Sequence, residues 1–364
     1  MGMRPVTMWA VTVMLISGVA LTGAAIHAQG EDDPVSTNTP TKQIDGLRWK
    51  GRWMSNIGCL KPCLKYLGRE VSWAWLYGGT GYVHEELCPS GWHVTEFPLG
   101  SLGENVGASV DWFSIGGHEF PSDEDRPGRQ KDVWEKTRAA IDQAQPCIGY
   151  DLEHGDYYVV HGYDDIGYYY SGPLCDGGKG PLKWQNLGVT GQVGLICMGV
   201  VKLAEPPDDT AAVRNALQFA VEHAQKKPKP DDVYVAGLAA YDQWIGALRA
   251  GHVNGWGPAY NAACYLECRR QAVSFLAEAK ERLDGDLGPL FDEAIGRYKA
   301  VAESLEKVAR AFPTEGGHKH EPDEATVKQG IAALKAAKQA ERQGVAVLAK
   351  LAAVIAEPGT ASKE

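Results

Sequence analysis

Positive charge is scarce in this sequence and is not concentrated in any one stretch. The 364 residues include 36 lysines and arginines against 46 aspartates and glutamates, which gives a formal net charge of −10. No stripe of basic residues runs along the chain, so a footprint for the phosphate backbone of nucleic acid is missing. We therefore expect no nucleic-acid partner.

A dinucleotide-binding fingerprint is also missing. The glycine cluster at Gly78-Gly79-Thr80-Gly81 lacks the G-x-G-x-x-G spacing and the strand-to-helix context that cradle a pyrophosphate. We expect the protein to use no cofactor, and we assign no metal site.

Charge is absent from a long stretch near the N-terminus. Arg4 is followed by an uncharged apolar run from Met8 to Ile26, and the small residue Ala28 suits cleavage. This pattern predicts a signal peptide over residues 1–28 and an exported, periplasmic or extracellular protein. A membrane anchor is the alternative, and it would make the uncleaved segment the one contact with a membrane. No cysteine directly follows the apolar run, which argues against a lipoprotein.

The residues that follow fall into two compositions. Most tryptophans and tyrosines precede residue 205, whereas the chain beyond it is rich in alanine and has apolar residues at helical spacing. We predict an α+β domain followed by an all-α helical bundle of about five helices. The predicted boundaries are a linker at 29–44, the first domain at 45–204, a linker at 205–210, the bundle at 211–357 and a disordered tail at 358–364.

A predicted hairpin is the most distinctive stretch of the first domain. Tyr157 to His161 and Tyr168 to Tyr170 are aromatic and β-branched, and turn chemistry at 165–167 separates them. Helices are predicted over Ile57–Leu67 and Val133–Ala144, and a loop over Gly177–Gly191.

Cysteines occur in two pairs with the same spacing, Cys59 with Cys63 and Cys264 with Cys268. On a helix, residues four apart share one face. Two such helices can be cross-linked by two disulfides, and export would favour that outcome. Four thiolates could instead hold zinc, or the thiols could pack as small apolar groups. The sequence leaves these three alternatives open.

Three segments resemble the papain-like superfamily. They are Cys59-Leu-Lys-Pro-Cys63-Leu-Lys-Tyr-Leu-Gly68, Tyr157-Tyr-Val-Val-His161-Gly-Tyr-Asp-Asp165 and Ser171-Gly172-Pro173. They are similar to the first helix, the histidine strand and the third catalytic segment of double-glycine leader peptidases. They are also similar to the N-terminal domain of butirosin biosynthesis protein H, an acyltransferase. The resemblance covers residues 47–204 and implies a papain-like fold.

The positions that carry the family's chemistry differ in this chain. The family's nucleophilic cysteine lies thirteen residues before the glycine at the helix end, and that position is Ser55. The family's histidine falls at Asp156, and the Asp or Asn before proline is replaced by Ser171-Gly172. The oxyanion-hole glutamine has no counterpart in residues 48–52. The resemblance thus implies a fold that has lost its thiol chemistry.

Our leading hypothesis is a non-catalytic module that binds a peptide or an amine-bearing small molecule. An acidic residue among aromatic ones attracts ammonium groups by charge and by cation–π attraction. The predicted binding residues are Ser55, Asp156, Tyr158 and Ser171.

Two other classes of function remain. One is a thiol-dependent amidase, peptidase or acyltransferase, which would use Cys59 or Cys63 with a histidine on a neighbouring element. His161 lies five residues after Asp156, which turns it to the opposite side of a regular strand, whereas His154 is in the preceding loop. The other class is a structural envelope protein that acts through its helical bundle.

Overall fold

The computed structural model describes residues 41–81, 86–87, 101–114, 125–191, 194–229, 235–253, 256–283, 286–315 and 321–356. The predicted signal peptide, most of the 29–44 linker and the 358–364 tail lie outside these residues. Helices and an antiparallel sheet are both present, so the predicted α+β class is confirmed.

The described part of the chain contains eight α-helices. They are α1 Ser55–Tyr66, α2 Trp73–Gly79, α3 Asp125–Asp142, α4 Asp209–Ala224, α5 Gly237–Arg249, α6 Trp256–Arg282, α7 Gly288–Ala311 and α8 Glu324–Ala356. Five of them follow residue 208, in agreement with the prediction. Helix α3 extends further toward the N-terminus than the predicted Val133–Ala144, and Pro127 lies in its first turn, where a helix tolerates proline. Within the described residues, no helix is both long enough and apolar enough to cross a bilayer.

The strands form one large sheet and one small ribbon. They are β1 Lys42–Gln43, β2 Glu86–Leu87, β3 Ala108–Ser114, β4 Cys147–Tyr150, β5 Tyr157–Tyr163, β6 Gly167–Gly172, β7 Cys175–Lys183, β8 Cys197–Leu203 and β9 Val235–Ala236. The large sheet is antiparallel in the order β3-β8-β4-β5-β6-β7, and β1 pairs with the end of β5. Strands β2 and β9 pair separately. The predicted hairpin is confirmed as β5 and β6.

The segment after this hairpin was predicted wrongly. Gly177–Gly191 was expected to be a loop, yet β7 extends through most of its first half and pairs with β6. Gly178 and Gly180 adopt φ values of +108° and +145°, which glycine tolerates because it has no Cβ. This strand is formed by backbone pairing with β6. Its side chains have low β-propensity, so the sequence did not predict it.

The hydrophobic core continues across residues 205–210. Helices α1 and α3 pack against the sheet, and α2 packs against α6. The ring of Phe275 lies directly over Gly78, where an added Cβ would come within 2.0 Å of its Cγ, and the Trp75 ring lies 5.4 Å away. The boundary at 205–210 therefore separates two compositions but not two hydrophobic cores.

A buried ion pair joins helices α6 and α8. The side chains of Arg269 on α6 and Glu341 on α8 are 2% and 3% exposed, with 2.9 Å between nitrogen and oxygen. The hydroxyl of Tyr241 on α5 donates to the same carboxylate. Because a buried charge is costly without partners, this cluster ties three helices to one arrangement.

Candidate functional site

The N-terminus of α1 is the centre of the candidate site. Ser55 is the first residue of this helix and is 7% exposed. Its hydroxyl accepts a hydrogen bond from the backbone N–H of Tyr157 at 3.0 Å, and it bonds to the carboxylate of Asp156. The structure therefore brings together two predicted residues that are about a hundred positions apart.

Asp156 is held at the start of β5 by a short closed loop. Its backbone N–H donates to the carbonyl of His154 at 2.7 Å, and its carbonyl accepts from the N–H of Asp151 at 2.9 Å. Burial raises the pKa of Asp156 from its ordinary 3.8 to about 6, although the Ser55 hydrogen bond and the charge of His154 act in the opposite direction. This carboxylate therefore titrates just below neutral pH.

Tyr158 packs next to that loop and bonds to its backbone. Its side chain is fully buried, and its hydroxyl accepts a hydrogen bond from the backbone N–H of His154 at 3.1 Å. Burial raises the pKa of this phenol, so it stays protonated. Its ring meets the ring of Tyr170 edge-on at 5.4 Å. Tyr158 thus shapes the loop that carries Asp156.

Ser171 joins the site through a residue that sequence reasoning did not assign. Its hydroxyl accepts from the backbone N–H of Trp49 at 2.9 Å, and the Trp49 indole N–H donates to the carbonyl of Ser55 at 3.1 Å. Trp49 therefore links β6 to the start of α1. No local sequence signal indicates a contact between residues 122 positions apart.

Both candidate thiols are placed away from the helix N-terminus. Cys59 and Cys63 lie one and two turns into α1, and neither is exposed. Burial raises the pKa of both thiols, and the neighbouring Cys63 and Asp156 raise the pKa of Cys59 further. A thiolate, which is the nucleophilic form, is strongly disfavoured here.

The two histidines occupy different surroundings. His154 is partly exposed in the loop before Asp156, whereas His161 is 2% exposed and lies where β5 bulges against β6. Burial, followed by the charge of Arg48, lowers the pKa of His161 to about 4. The His161 ring packs beside Gly178 of β7. It is therefore neutral at physiological pH, and no cysteine contributes to the shift in its pKa.

The disulfide alternative for the two cysteine pairs is not supported by the structure. No disulfide joins any of the seven cysteines in the described part of the chain, which include Cys59, Cys63, Cys264 and Cys268. The physical reason is the direction in which the helices face. Cys63 is close enough to Cys147 of β4 to affect its pKa, whereas Cys268 of α6 is close enough to Tyr77 of α2 to affect the pKa of that phenol. Among the described residues no group of three or more His, Cys, Asp or Glu side chains forms a metal site.

Sequence reasoning also missed Glu267 of α6. Its carboxylate accepts hydrogen bonds from the backbone N–H groups of Trp53 and Met54, at 3.0 and 3.3 Å, and from the hydroxyl of Tyr77. Met54 is the residue that precedes α1, so the helical part of the chain fixes the start of the candidate site.

In chemical terms the site offers a carboxylate that titrates near pH 6, a serine hydroxyl bonded to it, and aromatic rings close by. Tyr157 follows Asp156 directly, and its ring lies 5.0 Å from Tyr150 and 6.4 Å from Trp112. Such a set suits recognition of a cation. Comparison with known proteins adds no relative, since no protein-family model matches this chain and a search of the curated proteins gave no match.

Proposed function

We propose that this protein is an exported, non-catalytic module of papain-like fold that binds a peptide or small molecule through a primary amine. The observation that carries the proposal is the Asp156 carboxylate, which is partly buried, has a pKa of about 6 and bonds to Ser55. Within the described residues it forms no ion pair with lysine or arginine. A ligand ammonium would supply the missing partner and lower this pKa.

The placement of three residues supports the papain-like part of the proposal. Ser55 opens α1, Asp156 stands at the start of β5, and Ser171 lies on β6. These are the places that the resemblance implies for the nucleophile, the histidine and the third catalytic residue. In this chain they hold a serine bonded to a carboxylate and a serine bonded to a backbone amide.

The side chains themselves disfavour catalysis. A serine nucleophile needs a base that accepts its proton, and a carboxylate with a pKa of about 6 is a weak base for a hydroxyl. The buried thiols of Cys59 and Cys63 keep their protons, and the neutral ring of His161 lies beside Arg48 instead of a thiol.

Calorimetric titration tests the amine site. Putrescine, n-butylamine and a trialanine peptide with a free N-terminus would be titrated at pH 7.5, together with N-acetyl trialanine. We expect at least one free amine to bind and Asp156→Asn to weaken it by about tenfold, since an ion pair is lost. N-acetylation should have a similar effect. Asp165→Asn, which removes an exposed carboxylate, is the matched control.

Two results would overturn the proposal. The first is that no amine distinguishes the wild-type protein from Asp156→Asn. The second is hydrolysis or acyl transfer by the purified protein that is lost in Ser55→Ala or Cys59→Ala, which would establish the thiol-enzyme or serine-enzyme alternative.

A further inference from the structure

A concave surface lies beside the segment that precedes α1, away from the residues that define the candidate site. It is a groove of about 720 Å³ between the segment that precedes α1, the outer face of α6 and the end of α7. Its charged and aromatic lining includes Arg52, Trp53, Arg270, Glu306 and Arg310. This volume is in the range of small-molecule and short-peptide sites.

Arg52 has spare hydrogen-bonding capacity at this groove. Its guanidinium stacks over the ring of Trp73 at 3.9 Å, and one N–H donates to the carbonyl of Gly51 at 3.0 Å. Its Nε is buried with no acceptor in reach, and among the described residues it forms no ion pair. A guanidinium has five N–H donors. The Nε–H of Arg52 is buried, so the donors open to a ligand are those of the two terminal nitrogens apart from the N–H bonded to Gly51.

The acidic groups of the groove are mostly engaged. Glu306 is shared by two arginines, Arg270 at 3.4 Å and Arg310 at 2.7 Å. Glu267 accepts from two backbone N–H groups and the hydroxyl of Tyr77. The third carboxylate, on Glu315, is exposed at the end of the groove. Three arginines therefore face three carboxylates, and Arg52 is the one of these arginines that has no ion pair in the described part of the chain.

An apolar wall completes the groove. Leu266 and Phe312 line it together with Trp53, whose ring also packs against Trp256 and Tyr260 at 6.1 and 6.0 Å. We infer that this groove binds an acidic peptide, whose carboxylates pair with Arg52, Arg270 and Arg310 while an apolar side chain packs on Trp53. Arginine suits this task because its planar fork matches a carboxylate. The inference is independent of the amine site at Asp156.

The test uses a blocked peptide, acetyl-Glu-Leu-Glu-amide, which has no free amine for Asp156. We expect it to bind the full-length protein with an affinity that is constant between pH 5.5 and 8 and that falls with added salt, because arginine stays charged over this range. Arg52→Gln and Arg310→Gln should each weaken binding by about fivefold. Arg310 is exposed, so the second variant keeps the test valid if Arg52→Gln does not fold.

Three controls define the outcome. Arg249→Gln removes an exposed arginine of α5, and Asp156→Asn removes the proposed amine site, so neither should change the affinity for the acidic peptide. Acetyl-Gln-Leu-Gln-amide should not bind. The inference is overturned if wild-type protein does not bind the acidic peptide, if the glutamine peptide binds equally well, or if both arginine variants keep wild-type affinity. The inference is also overturned if inorganic phosphate displaces the peptide equally well from wild type and from both arginine variants, because the displaced site would then not depend on Arg52 or Arg310.

Discussion

At the scale of single residues, Asp156 is the side chain whose surroundings oppose its charge. Its pKa of about 6 means that the folded protein favours the protonated form over the ionised one more strongly than an unfolded chain does. The hydrogen bond from Ser55 offsets only part of the cost of burial. The ionised Asp156 carboxylate therefore lowers the stability of the folded protein, and shifted pKa values of this kind are common at functional sites.

The stability cost can be measured through its dependence on pH. Between pH 3.8 and about 6 the folded state binds more protons than the unfolded state, so stability falls as pH rises through this window. Above it the cost reaches at most about 3 kcal/mol. We expect Asp156→Asn to raise the free energy of unfolding by about 1–3 kcal/mol at pH 8 and not at pH 3.5. Urea unfolding at both values measures the difference.

Asp165 provides the comparison for that measurement. It is exposed in the β5–β6 turn, so Asp165→Asn should leave the free energy of unfolding nearly unchanged at both pH values. If Asp156→Asn behaves in the same way as Asp165→Asn, the Asp156 carboxylate is not strained by burial.

At the scale of elements, the join between α6 and the start of α1 is the critical contact. Glu267→Ala would leave two backbone N–H groups and the hydroxyl of Tyr77 without their acceptor. We expect the free energy of unfolding to fall by about 2–4 kcal/mol, since each unsatisfied buried donor costs about 1 kcal/mol or more. Glu267→Gln keeps one carbonyl oxygen at the site and should lose less. Urea unfolding at pH 7 distinguishes the two variants.

Glu281→Ala is the matched control, because Glu281 is an exposed carboxylate on the same helix. A loss in Glu267→Ala no larger than the loss in Glu281→Ala would show that the α1 start does not depend on α6.

Elements with strong local patterns were predictable from the sequence, and contacts between distant elements were not. The β5–β6 hairpin and the helices after residue 208 follow from aromatic alternation and helical spacing. Strand β7 was missed because its glycines carry no strand propensity. The resemblance to papain-like proteins is what singled out Ser55 and Asp156 together. No local pattern indicates the hydrogen bonds of Glu267 to Trp53 and Met54. The cysteine spacing was misleading because α1 turns its thiols toward the sheet.

At the scale of the whole molecule, the shared core predicts cooperative unfolding. Most tryptophans precede residue 205 and most helical residues follow it, so fluorescence and far-UV circular dichroism report on different parts. We expect their urea curves to coincide, because α2 packs on α6 within one continuous core. Gly78→Val, whose side chain would collide with Phe275, should move both curves together to lower urea. Two separate transitions would instead support independent domains.

The Arg269–Glu341 pair has a further consequence for how this chain can vary in length. One residue inserted into α8 just before Glu341 would rotate that carboxylate by about 100° around the helix axis. Arg269 would then be left without its partner in an apolar interior. Natural variants of α8 should therefore gain or lose residues near its ends, while the stretch facing α5 and α6 keeps its register. The pair thus fixes the register of α8 against α6, which the alanine-rich surface of α8 alone would not fix.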